Sequence, residues 1–317
     1  MATVPRAYLN NYDGALNDIR KRASDELRAS LALVDYSAGP DSVRDAVLAI
    51  MQACCGGASQ MAAAESAIFY DGLRERVVGS TMGTSIQDKR SAEGTDRAAK
   101  ALLKTLFDDD DEDLFIEKCV ERLDYEITAA AGRCMQYNAQ NDPERPRYAR
   151  IPQGDRTCDF CLMLASRGPV YHTAESAGAF EKFHLHCDCK IMPFWGSERV
   201  VTERGGVVRR GGTSYEGYDP DAYFNQYLNI ATERFRARME RAADKAHAER
   251  GTGWRQKLSN KDMTTIRDYI SGATSYEDLI KRVDKVDNSP YFMSDKQWNT
   301  ILQWARDKRK VLINADK

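Results

Sequence analysis

The sequence predicts an α+β fold that is predominantly helical. Three observations point there: apolar residues recur every three to four positions through about residue 135, four cysteines form two close pairs near the middle, and helical periodicity returns after Asp219. The expected organisation is a helical bundle over residues 1–140, a small Cys/His-bearing α+β module with a β-hairpin over 141–212, and a helical C-terminal segment over 213–317.

The first helix places Leu16, Ile19, Ala23, Leu27 and Leu31 on one face. Gly39-Pro40-Asp41 ends it and caps a second helix striped by Val43, Val47, Leu48 and Met51. Gly56-Gly57 is expected to break that helix before a third, MAAAESAIFYDGLRERVV. Residues 79–94 lack an apolar period and read as a mobile loop. A short helix follows from Ala98 to Phe107. The acidic run Asp108 to Asp113 reads as a cap for the next helix, where the dipole favours negative charge. A calcium loop would need a central glycine and a closing glutamate, which are missing. That next helix turns Phe115, Ile116, Cys119, Leu123 and Ile127 inward, completing the bundle.

The texture changes at Asn138. NAQNDPERPRYARIPQG carries three prolines and is not expected to be helical. After the cysteine region, ERVVTERGGVVRR sets two Val-rich runs around Gly205-Gly206, the pattern of a β-hairpin. Gly211-Gly212-Thr213-Ser214 reads as a linker. A helix from Asp221 to about Arg250 carries Tyr223, Tyr227, Ile230 and Phe235, and shorter helices follow Asn260, Thr274 and Ser294. Thr274-x-x-Glu277 and Ser294-x-x-Gln297 match capping boxes. MTTIRDYISGATSYEDLIKRVDK has a helix-turn-helix outline, but mixed charge on its second helix favours a plain helical hairpin.

Composition narrows the function classes. Charged residues make up 30% of the chain, which excludes collagen-like and prion-like classes. No apolar run is expected to reach the ~18 residues of a membrane span, and the N-terminus lacks the apolar core of a signal peptide. The expectation is a soluble cytosolic product with no membrane partner. The net charge of −2 hides an asymmetry: residues 232–317 are net +6 and residues 1–231 net −8. A basic tail allows an anionic partner without requiring one.

Cys54, Cys55, Cys119 and Cys134 fall in helical stretches and read as small buried thiols. The other four form Cys158-x-x-Cys161 and His184-x-x-Cys187-x-Cys189. In a cytosolic chain such pairs point to metal before disulfide. Zinc takes four soft or borderline ligands in a tetrahedron. Cys158, Cys161, Cys187 and Cys189 are the leading set, with His184 the strongest competitor for one place. His186 is weaker, because it alternates with Cys187 along the chain. Buried thiols and a redox dithiol are the competing readings; no βαβ pattern surrounds the Cys-x-x-Cys. Four protein ligands leave no open position for water, and no His-Glu-x-x-His is present, so the zinc is expected to be structural. The 141–212 stretch is thus expected to be a zinc-binding α+β module, unfolding on loss of one thiolate and leaving the bundle intact.

Residues 146–195 resemble a family. Arg150-Ile151-Pro152 leads into Cys158-x-x-Cys161, and an insert rich in small residues leads to His184-x-x-Cys187-x-Cys189 and an apolar strand. The order is similar to that of the MuF-like minor head proteins of tailed bacteriophages, also called phage head morphogenesis proteins. CLMLASRGPVYHTAESAG resembles the version in phages of Gram-positive hosts. Leu185-His186 stands where the family has Pro-Asn or similar, which leaves open which histidine serves. The resemblance implies a structural virion component in the phage head, present in a few copies, associated with the portal vertex and assisting head assembly or DNA ejection. The implied partners are portal and capsid proteins, with packaged DNA a further candidate.

Two other readings compete. Arg199, Arg204, Arg209 and Arg210 of the hairpin, and Arg306, Lys308, Arg309 and Lys310 beside Trp298 and Trp304, fit a nucleic-acid-binding protein. An enzyme or toxin-like domain would be built around His172 and Glu175. No Gly-x-Ser-x-Gly and no Gly-x-x-x-x-Gly-Lys occurs, and a non-enzymatic role is expected.

Overall fold

The computed structural model describes residues 3–87, 92–109, 111–154, 157–170, 188–196, 198–201, 207–210, 212–248, 258–289 and 293–315, with backbone alone at 109, 198–201, 207–210, 242–248 and 314–315. It is predominantly helical with a few short strands. These residues fall into two compact units. The first takes the chain to Cys161, then 188–196 and 212–218; the second takes 162–170, the hairpin and everything from Asp219. The stretch 141–212 contributes to both.

The first unit begins with β1 (Thr3–Val4) and α1 (Arg6–Leu31). The expected face of α1 is buried, extended by Leu9 and Tyr12. Gly39, at φ 91, precedes Pro40 at the start of α2 (Pro40–Val78), as the turn requires. The break expected at Gly56-Gly57 is absent: α2 runs unbroken through both glycines. Glycine in a helix costs about 1 kcal/mol relative to alanine. Packing of α2 on α1, α3 and α4 outweighs that cost. A Cβ added at Gly57 meets nothing within 4 Å. Gly57→Ala is expected to raise stability by about 0.5–1 kcal/mol, measured as a later urea midpoint with unchanged slope.

By length and composition α2 is also apolar enough to cross a membrane, which corrects the expectation that no segment is. Its apolar window is 44% buried within the structure.

The described part of the next segment, 79–87, is not the loose loop expected. Asp71 accepts from the backbone N–H of Met82 (2.9 Å) and Thr84 (3.0 Å), and Asn138 exchanges two 2.9 Å bonds with the Ser85 backbone. α3 (Ala92–Asp109) starts six residues before the expected helix. Asp111 caps α4 (Glu112–Asn141) by accepting from Leu114 N–H at 2.9 Å, as the acidic run implied. From Glu126 onward α4 is buried on most sides, because α1, α2 and α3 all pack on it. It continues past the expected texture change and stops at Asp142. That residue precedes Pro143, and proline excludes helical backbone just before it.

β2 (Arg147–Ile151) and β3 (Lys190–Phe194) form an antiparallel ladder, Arg147 opposite Phe194 and Ile151 opposite Lys190. β3 is buried throughout and packs on α4. Asp142 links this sheet to the bundle. It accepts from Tyr70 Oη (3.0 Å), Arg74 Nε (3.0 Å), Trp195 Nε1 (2.9 Å) and the Glu144 N–H (2.9 Å). β1 pairs in parallel with β6 (Ser214–Tyr215) in the span read as a linker.

The second unit holds the hairpin β4 (Glu198–Val201) and β5 (Val207–Arg210), antiparallel as expected. It also holds α6 (Pro220–Ala248), α7 (Asn260–Ser271), α8 (Tyr276–Asp287) and α9 (Asp295–Ala315). The core face of α6 is Phe224, Tyr227, Leu228, Ala231, Phe235 and Met239; the expected Tyr223 and Ile230 are half-buried flanks. Trp298 is fully buried, its ring stacked on Phe235 at 4.8 Å. Ser294 and Gln297 form the expected cap of α9. The cap of α8 lies one residue on from expectation, where Ser275 accepts from Asp278 N–H. Its hydroxyl is placed by an extended backbone just ahead of the helix.

Arg309 is not free for an external anion, contrary to the sequence expectation. It is buried, lies 4.7 Å from the Phe224 ring, and donates to the carbonyls of Ser166 (2.5 Å) and Pro220 (3.2 Å) while pairing with Asp221. Arg309→Met keeps the apolar stem but removes the donor to the Ser166 carbonyl and the partner of Asp221. The expected cost is about 2–3 kcal/mol, read by thermal denaturation.

Candidate metal centre

The residues of the first sulfur pair lie at the start of a short helix, α5 (Asp159–Ala165). Cys158 precedes that helix, and its Sγ accepts from the Cys161 N–H at 3.3 Å. This is the position in which a side chain satisfies the orphan donors of a first turn. Cys161 faces inward and is fully buried. Cys189 stands immediately before β3 and is likewise buried. The Sγ atoms of Cys161 and Cys189 are 3.3 Å apart, with Cys158 packed against both. That distance is far beyond the ~2.05 Å of a disulfide. It is also shorter than the roughly 3.8 Å edge of a tetrahedron built on ~2.3 Å zinc–sulfur bonds.

The strand ladder sets this approach. Arg150 on β2 pairs with Ile191 on β3, which brings its buried guanidinium to Cys189, donating to Sγ at 3.4 Å. N–H donors directed at ligand sulfurs are the outer-shell contacts a metal site uses to hold its ligands.

Asp188 also holds the site together, and nothing in the motif singled it out. Its Oδ2 accepts from Thr157 Oγ1 (2.8 Å) and from the Gly154 N–H (3.2 Å), which draws the segment before Cys158 onto the chain before β3. Burial pushes its carboxyl above the usual range, against the Thr157 hydrogen bond. An acid between two closely spaced cysteines is the signal that sequence reading passed over. It lines a cleft of about 260 Å³ in whose wall Lys190 pairs with Asp13 at 2.9 Å and Arg20 with Asp124 at 2.5 Å.

Three of the expected sulfur ligands are therefore brought together. Cys187 and the histidines His184 and His186 lie outside the described residues, as do His172 and Glu175. Among the described residues no group of three or more His, Cys, Asp or Glu side chains is placed to hold a metal ion. The remaining cysteines have the packing role expected of them. Burial pushes the Cys119 thiol up to about 12 and raises those of Cys134 and the half-buried Cys54. In the hairpin, Arg199 is the register partner of Arg209 and Glu198 that of Arg210; Arg204 lies outside the described residues.

Comparison with known proteins adds a second kind of finding. The model of a family described as VG15 protein matches residues 3–230. The gene 15 protein of Mycobacterium phage D29 is 30% identical over a match covering 23% of this chain and 38% of that protein. The gene 15 protein of Mycobacterium phage L5 is 31% identical, with 22% and 36% covered. The match thus spans little more than a third of the length of these relatives. No solved structure matches the chain.

Proposed function

The chain belongs to the VG15 protein family, and from that premise we propose that it is a structural, non-enzymatic minor head protein of a tailed phage, located at the portal vertex and assisting head assembly or DNA ejection. The curated relatives being phage gene products supports a virion role. The convergence of Cys158, Cys161 and Cys189 is the observation that carries the finer reading, because it brings together three of the four cysteines on which the MuF-like resemblance rests. Its partners are portal and capsid proteins.

Within this proposal zinc is the staple. Cys158, Cys161 and Cys189 hold it, with Cys187 or His184 as the fourth ligand. The donor set fits: soft sulfurs, buried at Cys161 and Cys189 and half-buried at Cys158, with a guanidinium and a backbone N–H directed at two of them. The ion supplies a cross-link and no bond-breaking chemistry. Arg150 orients Cys189, Asp188 holds the 154–157 segment, and α5 presents Cys161.

The test is made on purified particles and on a phage with the gene deleted. Mass spectrometry is expected to find the polypeptide in virions, immunogold label is expected at a single vertex, and the deletion is expected to leave few infectious particles. Infectious heads assembled without the polypeptide, or virions that lack it, would refute the proposal.

A further inference from the structure

The second unit carries a groove between α7 and α9. Met263, Thr264 and Arg267 face it from one side of α7, and Lys296, Thr300 and Trp304 recur at helical spacing along α9. Its volume of about 610 Å³ is in the range of ligand sites. Two cations line it and no carboxylate does. Of the nearby acids, Asp262 is engaged in the Ser259 cap, and Asp295 meets Arg236 in an exposed pair that holds it weakly. Asp268 pairs with Arg267, but both are exposed, and such a pair holds its partner weakly.

The two tryptophans of α9 differ in a telling way. Trp298 is fully buried, with its ring on Phe235 and its N–H on Thr232. Trp304 is half-exposed and forms part of the groove wall. An accessible indole beside two cations, in a segment of net charge +6, is the combination that takes a base on a ring face and a phosphate on a cation. An acidic peptide would use the cations but has no need of the indole.

We propose that the groove between α7 and α9 binds single-stranded nucleic acid, with one base stacked on Trp304 and the backbone phosphates held by Arg267 and Lys296. The site stands independently of the portal-vertex reading.

The experiment uses the purified full chain and a fluorescein-labelled fifteen-residue oligo-dT, read by anisotropy. Binding at about 50 mM salt is expected to weaken steeply by about 200 mM. Trp304→Ala is expected to reduce affinity about tenfold or more, and Trp304→Phe to retain most of it. The double variant Arg267→Gln/Lys296→Gln is expected to bind weakly and to flatten the salt dependence. Both of its positions are exposed, so it remains decisive where Trp304→Ala lowers stability. The proposal fails if the parent does not bind at low salt, or if the double variant or a folded Trp304→Ala protein binds like the parent. Equal displacement by poly-glutamate at matched charge assigns the groove to an acidic peptide and overturns it as well.

Discussion

Cys189→Ser is expected to abolish the binding of one zinc ion per chain and to produce a large loss of stability in the first unit. Structural zinc contributes on the order of 10 kcal/mol of apparent binding free energy, coupled directly to folding. Cys189 is fully buried, touches Cys161 and receives the Arg150 guanidinium, so losing its sulfur disturbs the ion, its neighbouring ligand and a buried charge together. Damage confined to a small module was the sequence expectation. The β2–β3 ladder packs on α4 inside the first unit, so the loss is now expected to reach the bundle as well. Elemental analysis of the reduced protein should find zinc in the parent and not in the variant. A chelator should lower the parent's Tm towards the variant's and leave the variant unmoved. Cys119→Ala is the control: a buried thiol in a helix, expected to cost about 1 kcal/mol in packing and to retain the metal. A parent free of zinc, with a Tm indifferent to chelator, would remove the ion from the account.

Where the sequence was legible, local rules and burial agreed. Leu16, Ile19, Ala23, Leu27 and Leu31 form a stripe and are buried as one. The acidic run does cap α4. The Val-rich runs around Gly205-Gly206 do pair. The failures came where tertiary contacts overrode local preference. Two glycines suggested a helix end, yet α2 passes through them because three helices pack along it. The 79–87 segment lacks periodicity and is nevertheless ordered, held by Asp71 and Asn138, which are distant in sequence. Arg309 read as tail charge because nothing local reveals that the Ser166 carbonyl, 143 positions away, needs a donor. That Cys158, Cys161 and Cys189 are neighbours was legible in the sequence, and the contacts around them were not. Cysteine spacing is a local signal, whereas the roles of Asp188 and Arg150 depend on strand register.

Asp142 is the strongest case of such a hidden residue, and its replacement is expected to cost the first unit about 3–5 kcal/mol. In the sequence it is an acid in a Pro-rich stretch. In the structure one buried carboxylate accepts from Tyr70 and Arg74 of α2, from Trp195 just after β3, and from the backbone of Glu144. Asp142→Ala leaves a buried guanidinium, a phenol and an indole N–H without this acceptor, and the loss is a large fraction of the roughly 5–15 kcal/mol that keeps a domain folded. Asp142→Asn keeps the shape and an oxygen acceptor but not the charge, and is expected to lose less. Burial alone would raise this carboxyl; the hydrogen bonds from Trp195, the Glu144 backbone, Arg74 and Tyr70 outweigh it and hold it below the ordinary carboxylate value. Burial and the Asp142 charge in turn keep the Tyr70 phenol protonated and able to donate. Because the folded value lies below the unfolded one, the carboxylate's contribution is fully present above about pH 4 and is lost as pH falls through the folded value. Urea midpoints measured near pH 7 and near pH 3 should therefore draw the parent and Asp142→Asn proteins together in acid. A gap between them that stays constant with pH would mean that Asp142 holds the sheet to the bundle by shape alone and that its charge contributes nothing.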